Sequence, residues 1–179
     1  MIDLHRRLRK NELNHMFLEG LGNKVEWHSG EDSAPLLVNL TSPLLLKLRV
    51  YVFNCTNPPG GRALDEYKIQ VILPGQKRGE RGVLDYSEGR MPVLAAFVPE
   101  GAEGVFLLWD ADKHEDFSYS ANMQVKSDVI IRALYSNIAS ITRKTGETIL
   151  AVRPQHLYSA IHRRLEIRRQ DILGGDKNA

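Results

Sequence analysis

Cysteine is nearly absent from this chain: Cys55 stands alone among 179 residues. No internal disulfide and no cysteine-rich zinc site can therefore form. Long apolar runs are missing too. The best candidate, around 35–48, is interrupted by Asn39, Thr41, Ser42 and Lys47, whereas a membrane-crossing helix needs roughly 20 apolar residues. The start, Met1-Ile2-Asp3-Leu4-His5-Arg6-Arg7, lacks the apolar stretch and small-residue site of a secretory signal, so a cytoplasmic location is expected. Neither charge sign dominates, with 24 Lys plus Arg against 22 Asp plus Glu; net charge by itself does not select a partner. What is present is 42% hydrophobic residues, enough for the core of one domain of ordinary size. That domain is expected over residues 1–172, with a flexible tail at 173–179.

The distribution of charge says more than its sum. Arg6, Arg7, Arg9 and Lys10 open the chain, Lys77, Arg78 and Arg81 lie in a Gly-rich middle segment, and Arg153, Arg163, Arg164, Arg168 and Arg169 gather near the end. Brought together in space, such clusters would form a phosphate-binding face, because each cation laid on a phosphate releases condensed counterions. Taken singly, each is more simply the wet face of a helix or loop. The six histidines form no HExxH or H-x3-H pattern, so no metal site is expected. Cys55, which follows a strand, reads as a small buried hydrophobe.

Periodicity predicts the elements. Leu4, Leu8, Leu13, Phe17, Leu18 and Leu21 predict an amphipathic helix over 3–19, followed by polar loop to Pro35. Strands are expected near 36–41 and 48–55, at 66–73, and in the short apolar segments 93–98, 104–109, 122–126 and 148–152. The segment 66–73 alternates most cleanly, with Tyr67, Ile69 and Val71 on one face and Glu66, Lys68 and Gln70 on the other. Ser127 predicts a helix N-cap for 128–137, and Pro154 introduces a helix over 155–171. The order predicts an α+β domain with a mixed or mainly antiparallel curled sheet, or a partly open pseudobarrel, with one N-terminal helix and two helices in the C-terminal half.

Several constellations have chemical promise. Asn57-Pro-Pro-Gly-Gly-Arg62 is a rigid loop before a strand, and Arg62 at its tip suits a phosphate or the O6 and N7 edge of guanine. Pairing with Asp65 or Glu66 is the plain alternative. Pro74-Gly-Gln-Lys77-Arg78-Gly-Glu-Arg81-Gly82 offers backbone amides and three cations to one polyanion, without the G-K-[ST] of a Walker loop. Glu66 and Lys68 spell the E-x-K half of a magnesium-dependent nuclease site. Asp110 or Asp112 followed by Gln124 and Lys126 is a second, better-ordered match to acid and then Q-x-K. Magnesium enters only in this nuclease reading; a binding role requires no cofactor.

The segments NPPGGRALDEYKIQVILPGQ, RGERG, VFLLWDAD and FSYSANMQVK between Leu48 and Lys126 resemble a prokaryotic domain family associated with DNA methylases and restriction–modification operons. The resemblance implies a DNA-handling role as a sequence-reading component of a restriction–modification or related defence system. Its partners would be double-stranded DNA and a methylase, or a nuclease or helicase subunit from the same operon. The expected DNA contacts are Arg62, Lys68, Gln70, Lys77, Arg78, Arg81, Gln124 and Lys126. In the alternative reading, a restriction endonuclease, Asp110, Gln124 and Lys126, or Glu66 and Lys68, would be catalytic; in a third the chain is a scaffold subunit. No methylase motif is present in the chain itself.

Overall fold

The computed structural model describes residues 7–55, 65–99 and 104–176. Helix α1 spans Lys10–Leu21, strand β1 Val25–His28, β2 Leu36–Leu40, β3 Lys47–Asn54, β4 Glu66–Val71 and β5 Gly82–Val83. Strands β6 (Met91–Val98), β7 (Val105–Leu108), β8 (Asp116–Phe117) and β9 (Ala121–Lys126) follow. Helix α2 (Ser127–Ser136), β10 (Ile138–Thr142), β11 (Thr148–Val152) and α3 (Leu157–Asp176) complete the order. The class is α+β, as expected, and no closed barrel forms among the described residues.

Seven strands build one sheet in the order β1-β2-β3-β6-β7-β11-β10. Its pairs are antiparallel except β3 with β6, where Leu48–Asn54 runs parallel to Met91–Phe97. The central strands are buried on both faces, so they read as nearly continuous apolar runs. Alternation then sorts their side chains into two cores. Val50, Val52, Val93, Phe97, Phe106 and Leu150 pack with Phe17 of α1 and Ile161 of α3. On the other side, Tyr51, Leu94, Leu107 and Ile149 pack with Val129 and Ile130 of α2 and with Ile69 and Met123 of β4 and β9. Thus α1 and α3 cover one face, while α2 and the β4–β9 pair cover the other.

A parallel pair needs a long crossover, and here the connection from β3 to β6 carries β4, the basic loop and β5. Strand β9 comes from the separate connection between β7 and α2. The two meet as an antiparallel ribbon, outside the main sheet.

Four elements differ from expectation. The first helix begins at Lys10 instead of residue 3, because the Asn54 side chain accepts from Leu8 N–H and donates to Leu8 C=O, both at 2.9 Å. That holds the chain extended up to the capping contact in which the Glu12 carboxylate accepts from Arg9 N–H at 2.7 Å. The polar stretch after α1 contains strand β1, which pairs with β2, and β10 fills the stretch before β11. The last helix continues past 171 to Asp176. At Gly20 a side chain is excluded by packing: a Cβ there would lie 2.8 Å from the Pro154 carbonyl oxygen, where α1 crosses the entry to α3.

Candidate nucleic-acid interface

The β4–β9 ribbon owes its position to its apolar face. Ile69, Val71, Met123 and Val125 are buried in the second core, which turns the alternate residues outward. Register pairs Glu66 with Lys126, Lys68 with Gln124 and Gln70 with Asn122. Two motifs separated by more than 50 residues in the chain therefore occupy one polar face as three cross-strand pairs. Gln70, Asn122, Gln124 and Lys126 are exposed, and Glu66 and Lys68 are half-buried. Lys126 stands 3.6 Å from Asp65, whereas Lys68 makes no ion pair among the described residues. Beside the ribbon lies a groove of about 340 Å³ lined by Glu66, Gln124, Lys126, Ile141 and Arg143. Arg143, in the turn after β10, carries no local sequence signal; only the placement of β10 beside α2 brings it to this groove.

The basic loop after β4 is a built turn. The Gln76 side chain accepts from Leu73 N–H at 2.9 Å and donates to Glu80 C=O at 3.0 Å, and the Glu80 carboxylate accepts from Lys77 N–H at 3.0 Å. Gly75 and Gly79 take φ of 79° and 88°, conformations in which a side chain is strained. Lys77 and Arg78 thus project from an ordered tip, exposed and without an ion pair among the described residues. Arg81 differs, because its guanidinium is engaged by Asp116 of β8. Arg62 lies outside the described residues.

Asp110 stands elsewhere. It caps the short helical turn after β7, accepting from Asp112 N–H at 3.1 Å, and it faces Arg164 of α3 at 3.5 Å. Arg168, one turn further on, donates to Asp112 at 2.9 Å, and the Tyr86 hydroxyl donates to the same carboxylate at 2.8 Å. Asp110 N–H donates to Glu147, which also holds His114 at 2.6 Å. Burial raises the Asp110 carboxyl above its ordinary range, against the opposing charge of Arg164. Burial would raise Glu147 as well, but the hydrogen bond and charge of His114, with smaller aid from Asp110 N–H and Arg143, bring it below. Burial lowers Arg164 and pushes the Cys55 thiol up to about 12.

The structure therefore brings Glu66, Lys68, Gln70, Gln124 and Lys126 together, with Lys77 and Arg78 in the loop that continues β4. It does not bring Asp110 to the groove of Gln124 and Lys126; Asp110 lines a separate small cavity with Arg164 and Arg168. The ribbon face carries one carboxylate, Glu66, among amides and amines. Magnesium favours carboxylate and water oxygens, and no group of three His, Cys, Asp or Glu able to hold a metal occurs among the described residues. The basic run of α3 is divided: Arg164 and Arg168 are used inside the protein, while Arg163 and Arg169 are exposed. No helix among the described residues is long and apolar enough to cross a membrane.

Comparison with known proteins gives one family. The model of the family described as Methylase-associated X1 matches residues 46–161, a span that runs from β3 into α3 and includes the ribbon and the basic loop. No curated protein and no solved structure matches the chain significantly.

Proposed function

This chain belongs to the Methylase-associated X1 family, and we propose that it is a DNA-reading component working beside a methylase in a restriction–modification or related defence system. The observation that carries this reading is the ribbon register, which sets Lys68 opposite Gln124 and Gln70 opposite Asn122 on an outward face. A two-stranded ribbon fits the major groove of B-DNA, about 12 Å wide. Alternate residues on a strand are about 6.7 Å apart, close to two base-pair steps of 3.4 Å. Amides at this spacing supply the donor and acceptor pairs that read adenine, and lysines supply donors for guanine. Lys77 and Arg78 at the loop tip would hold phosphates and fix the ribbon in register, while Arg143 beside the groove already faces Glu147 at 3.8 Å.

The division of labour follows from this chemistry. Sequence is read by Lys68, Gln70, Gln124 and Lys126, and methyl transfer belongs to the partner, since the chain carries no methylase motif. The test is duplex binding over a series of salt concentrations, with and without magnesium, scored for both retardation and cleavage. Binding that falls steeply with salt and proceeds without magnesium supports the reading. Cleavage that needs magnesium and disappears in Lys68→Ala or Lys126→Ala would replace it with the nuclease. Absence of both would leave the scaffold role.

A further inference from the structure

A second cavity, of about 180 Å³, opens where β4 ends and the basic loop begins. Pro35, Tyr51, Phe53, Ile72 and Pro74 form its apolar walls, and Lys10 closes one side. This volume is below the roughly 300 Å³ at which drug-sized ligands begin to fit, and it corresponds to several waters or one small heterocycle. The amine of Lys10 donates to Val52 C=O at 2.9 Å and sits 5.3 Å from the centre of the Phe53 ring. No carboxylate among the described residues pairs with it. An ammonium has three N–H donors, so two remain for an acceptor entering the cavity.

The position gives the cavity its meaning. Ile72 is two residues beyond Gln70 on the reading face, and Pro74 is three residues before Lys77 on the phosphate-binding loop. With about 3.3 Å per extended residue, Ile72 falls about two base-pair steps of 3.4 Å beyond Gln70, and the turn at Pro74–Gly75 carries the chain on to Lys77. We propose that this cavity receives a single nucleobase extruded from the duplex held by the ribbon, with Lys10 donating to a carbonyl oxygen of the base. The inference rests on the DNA-reading role. Apolar and aromatic walls with a small number of polar groups are the chemistry by which extruded bases are held. Ile72 and Pro74 line the cavity and are exposed, so in this reading they form the mouth that a base swung out of the duplex would enter.

The test compares two pools of duplexes with identical random flanks, one fully paired and one with a central T·T mismatch, in competition for the full chain. Extrusion costs a few kcal/mol and least at a mismatch; a saving of about 1.4 kcal/mol corresponds to tenfold in affinity. The mismatched pool is therefore expected to bind about tenfold more tightly. Ile72→Trp, which plugs the mouth, is expected to abolish that preference, and Lys10→Met, which keeps the aliphatic stem, to reduce it. Affinity for the paired pool and its salt slope should stay within about twofold in both, the ribbon and loop cations being intact. Equal affinity of the wild type for both pools would overturn the cavity while leaving the ribbon reading in place. So would an undiminished preference in Ile72→Trp or, should that variant misfold, in Lys10→Met. Failure of the wild type to bind either pool would remove the ribbon reading and the cavity's role with it.

Discussion

Two regions of this protein spend their charge in opposite ways. Around Asp110, acids and bases are matched: buried Asp110 with buried Arg164, half-buried Asp112 with half-buried Arg168, and buried Glu147 with half-buried His114. On the β4–β9 ribbon and the loop after it, Lys68, Lys77 and Arg78 carry no ion pair among the described residues, beside the uncharged amides of Gln70, Asn122 and Gln124. The contrast separates charge that tethers α3 to the sheet from charge left for another molecule. Residue type alone does not distinguish them, since arginine appears in both; the distinguishing property is whether a partner has already been supplied.

The contrast is broken most strongly from the buried side. Arg164 is 7% exposed and bonds the Thr148 carbonyl as well as facing Asp110. Arg164→Ala would leave Asp110 without its countercharge and is expected to cost about 3–5 kcal/mol in denaturant unfolding, while the folded fraction keeps its DNA affinity. From the exposed side the expectation inverts. Lys68→Ala with Lys126→Ala should leave unfolding within about 1 kcal/mol of wild type and strongly weaken duplex binding. Gln124→Ala should cost about 1–3 kcal/mol at one base pair and relax selectivity there, read by selection from a random duplex pool. Arg78→Ala, the smallest of these changes, should weaken all sequences alike and lower the salt slope by about 1.

Acid sharpens the comparison further. Glu147 has its folded-state pKa below the ordinary value of 4.5, so the folded protein binds its proton less readily than the unfolded chain. Its contribution is then fully present above the unfolded value and is lost as pH falls through the folded one. Glu147→Gln should flatten that part of the acid limb below about pH 4.5, measured as unfolding free energy against pH. Asp110, raised chiefly by burial, acts in the reverse sense. Its contribution is present at low pH and is lost as pH rises through its folded value, so Asp110→Asn should remove the opposing slope.

Much of the ribbon was legible locally. The alternation of Glu66, Lys68 and Gln70 against Tyr67, Ile69 and Val71 marks a half-buried strand, and Gln124 and Lys126 share a face by the same rule. Their meeting was not legible, because a register across more than 50 residues is set by how both strands bury apolar faces on the sheet, and no local pattern encodes it. The start of α1 failed for a related reason. Leu4 and Leu8 continue the helical spacing, yet Asn54, 46 residues away, binds the backbone of Leu8 and holds it extended. The basic run at 163–169 could not be divided from sequence either. Arg164 and Arg168 lie one helical turn apart, and the carboxylates that neutralise them come from the turn after β7.

The central claim is that the ribbon face, and not the buried cluster, contacts DNA. Its most direct test is selection of bound duplexes from a random pool by wild type and by Gln124→Ala, with affinities measured for the recovered sequences. The account predicts a defined recognition sequence for the wild type and a loss of preference at one position in the variant, with stability unchanged. An identical recovered sequence in both, or recovery of no preferred sequence by the wild type, would contradict it.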